Sequence, residues 1–224
     1  IFTSLNYLYI MKNIFSLLFL TITLNFSFSQ DLKFKINNQP DDTVHLIKYF
    51  GKGLYYADTA RIINGDVTFD GSKQKPGILG VLFPGNKYFE FIYNNEDVYI
   101  ETQGPDFISN AKIKKSKENK IFIPYIQFIQ NNKKKANSLT SKRNSLDKNS
   151  KEFDKLTDEI NAINKTVEKY QLDLISNNKN TLASKIVKMS RDVIVPEAPR
   201  DSEGSIIDSN FRFNYYRKHY WDNI

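Results

Sequence analysis

The stretch Ala60-Arg61-Ile62-Ile63-Asn64-Gly65-Asp66-Val67-Thr68-Phe69 decides the fold. Asn-Gly is the favoured pair for a two-residue turn between antiparallel strands, because both turn residues need φ > 0. β-Branched and aromatic residues flank it on both sides, so the stretch predicts a β-hairpin. The same grammar extends outward. Leu32-Lys33-Phe34-Lys35-Ile36 alternates apolar and basic residues, as a strand with one buried face does. Val44 to Phe50, Tyr55 to Ile63, Gly77 to Phe83, Lys87 to Tyr93 and Val98 to Thr102 are further strands. Gly85-Asn86 and Asn94-Asn95 supply turns. Six or seven short antiparallel strands with close turns suggest a small sandwich or barrel-like domain over residues 30–109.

The period changes near Ser116. Phe122, Tyr125, Ile129, Asn132, Ala136, Leu139, Arg143 and Leu146 recur at intervals of three and four. After Lys148-Asn149-Ser150 the spacing resumes with Phe153, Leu156, Ile160, Ile163, Val167, Tyr170 and Leu174. Two such series with a short break predict an antiparallel helical hairpin. Ser150 is placed to cap the second helix, and Pro124 sits early in the first, in its opening turn or at a kink. Leu182 to Ser190 fits a third, shorter helix, which closes a helical domain over residues 110–195. Val195 to Gly204 reads as a linker, and Asp208 or Ser209 as the cap of a last helix within residues 196–224. The expected class is therefore α+β: a sandwich-like domain, then a helical hairpin and short helices.

The 224 residues carry a net charge of +7, and the charge is unevenly spread. Asp31 to Ser109 has 8 basic and 11 acidic residues, Asn110 to Val195 has 19 and 9, and Pro196 to Ile224 has 4 and 5. Lys112, Lys114, Lys115, Lys117 and Lys120 form one basic run, and Lys133 to Lys135 another. Such runs on helices are usually solvated faces, the reading preferred here. The alternative is a free-standing envelope protein whose basic helices touch anionic lipid or glycan.

Met11 and Lys12, the apolar run Ile14 to Leu24 and the following Ser27-Phe28-Ser29 have the order of a secretory signal peptide at residues 11–29, cleaved after Ser29. Residues 1–10 are then upstream translated sequence, and the protein belongs in the periplasm or cell envelope. Export makes nucleic acid an unsuitable partner for the basic segment. The chain has no cysteine, which excludes a disulfide framework, a thiol nucleophile and a thiolate metal site. Neither His45 nor His219 has a second ligating or catalytic group at suitable spacing, and no nucleophile motif or glycine-rich phosphate loop is present. No cofactor, metal or catalytic residue is therefore assigned. Arg212 to Ile224 is dense in aromatics. Tyr215, Tyr216, His219, Tyr220 and Trp221 are read as an interdomain contact in preference to a sugar or peptide platform.

Several short motifs carry a family resemblance: Asp58-Thr59-Ala60 with Asn64-Gly65 and Phe69; Ser116, Glu118, Asn119, Phe122 and Tyr125; and Tyr216, Arg217, His219, Tyr220, Asp222 and Asn223. In this order the chain resembles the N-terminal, non-catalytic region of TlpA/ResA-like thioredoxin-fold proteins of Bacteroidetes. The resemblance implies a thioredoxin-fold redox domain with a Cys-x-x-Cys pair beyond Ile224. The chain would then be a non-enzymatic accessory region, with that domain, a protein client or a homodimer mate as its partner.

Overall fold

A computed structural model describes residues 30–223. The proposed signal peptide lies outside the described residues. Eight strands form two four-stranded sheets. β1 (Asp31–Asn37), β4 (Asp66–Asp70), β7 (Val98–Gln103) and β8 (Lys112–Lys115) make one sheet in the order β4-β1-β7-β8. β2 (Thr43–Phe50), β3 (Gly53–Arg61), β5 (Gly77–Phe83) and β6 (Lys87–Tyr93) make the other in the order β3-β2-β5-β6. All pairings are antiparallel except β1 with β7, which run parallel with Leu32 opposite Val98.

The two sheets enclose one apolar core. It takes Leu32, Phe34 and Ile36 from β1, Leu46 from β2, Val81 from β5, Phe89, Phe91 and Tyr93 from β6, and Ile100 from β7, none more than 1% exposed. The alternation read in Leu32 to Ile36 is the inward face of β1. Edge-on contacts of the Phe34 ring with Phe89 and Phe91, at centroid distances of 5.5 and 5.0 Å, tie the sheets together.

The Asn64-Gly65 turn forms as expected: both residues have positive φ, +53° and +83°, and Ile63 and Asp66 exchange backbone hydrogen bonds of 2.9 and 3.0 Å. The pairing ends at that bridge. β3 continues along β2 and β4 along β1, so the turn is the corner between the two sheets. The Gly65 carbonyl accepts from the Ile36 N–H at 2.7 Å, fastening the corner to the end of β1.

Four helices follow: α1 (Asn119–Asn144), α2 (Lys151–Asn177), α3 (Leu182–Met189) and α4 (Phe211–His219). α1 and α2 form the antiparallel hairpin, with Gln171 near the end of α2 donating to the Tyr125 hydroxyl near the start of α1 at 3.0 Å. Every residue of the two periodic series is buried or half-buried. Ser150 caps α2, its hydroxyl accepting from the Phe153 N–H at 3.2 Å. Pro124 is the sixth residue of α1, beyond the opening turn, where it removes the bond to the Lys120 carbonyl. α4 starts after Asn210 without a side-chain cap; Asp208 instead accepts from the Asn210 N–H at 2.8 Å.

One reading is corrected. Lys112, Lys114 and Lys115 lie on β8, not on a helix face. β-Branched Ile113 alternates with lysines there, and that period suits a strand rather than a helix.

Candidate functional site

Ser116, Glu118 and Asn119 fall where sandwich and helices meet, and each has a definite task. β6 is an edge strand, and Ile92 directs its N–H and C=O away from the sheet. The Asn119 side chain takes both: its Oδ1 accepts from the Ile92 N–H at 2.8 Å and its Nδ2 donates to the Ile92 carbonyl at 2.7 Å. A fully buried amide thus stands in for a neighbouring strand. The outward Ile92 side chain packs into a second core with Phe122 and Ile123 of α1, Leu174 of α2, and Ala183 and Val187 of α3.

Two carboxylates complete this junction. Glu96 accepts from the Ser116 hydroxyl at 2.6 Å and from the N–H groups of Lys117 and Glu118 at 2.9 and 3.0 Å, capping the start of α1. Glu118, 4% exposed, accepts from Leu182 N–H at 3.0 Å and Ala183 N–H at 2.7 Å, which are the first donors of α3. Asn94 donates to the same carboxylate at 2.8 Å. Both acidic groups thus sit at the positive ends of helices, where an anion is favoured. All four carboxylate oxygens already accept hydrogen bonds, so their geometry is that of capping. Ser116 has φ +149°, a rarely used backbone region, and its hydroxyl bonds to Glu96 and Asn119 hold it there. Glu96 was not singled out in the sequence, and Asn94 was read there only as a turn residue. They lie in a polar turn, and their role depends on contacts 20 or more residues away.

The aromatic residues near the end of the chain divide. Tyr215 and His219 are half-buried, their rings 4.2 Å apart, against a shallow cavity of about 190 Å³ lined also by Arg191, Val193, Asp222 and Asn223. His219 Nδ1 lies 2.6 Å from Asp222, and Asn223 donates to the Arg191 carbonyl at 3.2 Å. Tyr216, Tyr220 and Trp221 are exposed, Trp221 by 66%. The five residues thus form two groups along α4 and the turn after it, Tyr215 with His219 and Tyr216 with Tyr220 and Trp221.

His45 lies on β2 with Nδ1 2.9 Å from the Thr59 hydroxyl and its ring 4.6 Å from that of Tyr56. No cluster of metal-ligating side chains occurs among the described residues. Part of the basic run is neutralised on the sandwich: Lys114 pairs with Glu101 at 3.1 Å and Lys115 with Asp97 at 2.6 Å. Lys133 to Lys135 are exposed on α1. No helix among the described residues is long and apolar enough to cross a membrane.

Fold and junction together define an α+β protein: a two-sheet sandwich with a stitched edge that carries a helical hairpin. Residues 31–122 match a family described as a domain of unknown function, DUF4369. The match runs from the first residue of β1 through the first turn of α1, and so includes Glu96, Ser116, Glu118 and Asn119. No curated protein and no solved structure matches the chain.

Proposed function

We propose that this chain is an exported, non-enzymatic accessory region that positions a downstream thioredoxin-fold domain or its client, as in the TlpA/ResA-like proteins it resembles. The observation that carries the reading is the two-sidedness of α4. Tyr215 and His219, with Asn223, hold the helix against residues 191–194, while Phe213, Tyr216, Tyr220 and Trp221 remain exposed. A short helix fixed on one side and aromatic on the other suits contact with a neighbouring domain.

The decisive experiment is to read the gene past the codon for Ile224. An in-frame continuation encoding Cys-x-x-Cys is expected, and a stop codon directly after it overturns the proposal. Export is checked separately by N-terminal sequencing of the protein recovered from the periplasm. The first residue should be Gln30; retention in the cytoplasm with the leader intact would refute export.

A further inference from the structure

Four strands sit at sheet edges, and three are guarded against pairing with another chain. β6 is blocked at Ile92, whose outward N–H and C=O are taken by Asn119. β8 is four residues long and three are lysines, and β4 is five residues long with an aspartate at each end. Short strands and edge charges are the usual defences. β3 differs: it is the longest strand, nine residues, and pairs with β2 alone.

Its second half carries guards of its own. A bulge falls where Leu46 and Ile47 face Asp58 and Tyr56, and Asp58 follows it. The first half, Gly53 to Tyr56, has none. At this end both faces of the β2–β3 hairpin carry exposed apolar side chains, with Lys48 opposite Tyr55 on one of them. Leu54 and Tyr56 are exposed on one side, 48% and 69%, together with Tyr49; Tyr55 (52%) and Phe50 (77%) are exposed on the other, with ring centroids 6.3 Å apart.

We infer that β3 is a homodimerisation edge, pairing antiparallel with β3 of a second copy across a two-fold axis through Tyr55. Edge pairing covers side chains on both faces of the hairpin at once, whereas a partner docked on one face leaves the other wet. With Tyr55 opposite its own mate, Leu54 faces Tyr56 of the other copy on the opposite side of the sheet, which matches the alternation of the strand. The same register brings Lys52 within reach of the other copy's Asp58. A shift that sets Tyr56 opposite itself would instead place Asp58 against Leu54. The exposed parts of Tyr49, Phe50, Leu54, Tyr55 and Tyr56 amount to on the order of 500 Å² at roughly 150–250 Å² for a large aromatic side chain. A standard interface buries about 800 Å² per partner, so these side chains supply most of what a dimer needs.

The 224 residues hold no cysteine, so one placed on β3 is a specific probe. In the full chain, Tyr55→Cys should crosslink to itself under mild oxidation. Directly opposed Cβ atoms lie about 4.5–5.5 Å apart, whereas Tyr56→Cys would meet its mate only diagonally at about 7–8 Å and should crosslink at least tenfold less. Sedimentation should give twice the mass of one chain, falling to one on Tyr55→Lys. Lys52→Glu should weaken the dimer and Lys52→Glu with Asp58→Lys should restore it; this pair decides the matter if Tyr55→Lys does not fold. A monomer at all concentrations up to about 100 µM, equal crosslinking at both positions, or a dimer abolished by Trp221→Lys but indifferent to Tyr55→Lys overturns the inference.

Discussion

At the residue scale, Asn119 shows how one side chain can close a sheet edge. A carbonyl and an N–H two bonds apart require an acceptor and a donor held in one plane, and only an amide offers both. Asn119→Asp keeps the acceptor for the Ile92 N–H but sets a buried carboxylate oxygen against the Ile92 carbonyl. It should cost about 3 kcal/mol, the scale of an unsatisfied buried group with added charge. Urea unfolding measures this, and a loss below about 0.5 kcal/mol would show that the stitch is not needed. Glu118→Gln acts elsewhere. Its amide would turn an N–H₂ toward N–H donors at the start of α3, so hydrogen exchange at Leu182 and Ala183 should quicken by at least tenfold while Ile92 stays protected. Equal loss at both places would mean that the two residues act as one unit. The residue types at Ser116, Glu118 and Asn119 stand out in the chain as a motif. Their tasks do not, because each partner lies far off in sequence.

At the element scale, helix periodicity transfers to structure almost unchanged, since the repeat of three and four fixes which side of α1 faces α2. The strands are legible singly but not in their pairing. Asn64-Gly65 specifies a tight turn through local φ preferences, yet whether the flanking strands stay together depends on which neighbours bury Ile62, Val67 and Phe69. The parallel partnership of β1 with β7 is likewise set by the shared core, across more than 60 residues. The hairpin helices differ along their length. Leu174 is buried in the second core, whereas Ile163 lies in the half-exposed seam of the outer half. Leu174→Ala should therefore cost about 2–4 kcal/mol and Ile163→Ala about 1 kcal/mol, because a partly exposed site leaves a smaller cavity. Thermal unfolding of the two variants compares them; equal losses would mean that the outer half is packed as firmly as the base.

For the whole molecule, charge sets the pH range of stability. Four carboxyl groups are held below their ordinary range in the folded state: Asp70 by the Ser72 hydroxyl, Asp97 by Lys115 and the Asp31 N–H, Glu101 by Lys114 and the Tyr99 hydroxyl, and Asp106 by the Ser109 N–H and hydroxyl. The unfolded chain therefore binds protons more readily than the folded one. Stability from these groups is fully present above about pH 5 and drains away as pH falls through the lowered values. Lys115 and three tyrosines move the opposite way: Lys115 beside Asp97, Tyr49 through burial and Glu90, Tyr93 through burial near Asp70 and Asp97, and Tyr99 through its bond to Glu101. Their folded values lie above the unfolded ones, so their contribution is present below about pH 10 and is lost as pH rises further. The denaturant midpoint should accordingly be flat between about pH 5 and 9 and fall on both sides. Asp97→Asn separates the causes, because Asp97 both accepts from Lys115 on the acid limb and raises Lys115 on the alkaline limb. Urea midpoints across pH 3–11 should show this variant losing stability in the plateau and declining less steeply at both ends. An acid limb as steep as in the native chain would show that the ion pair on β8 contributes nothing to acid sensitivity.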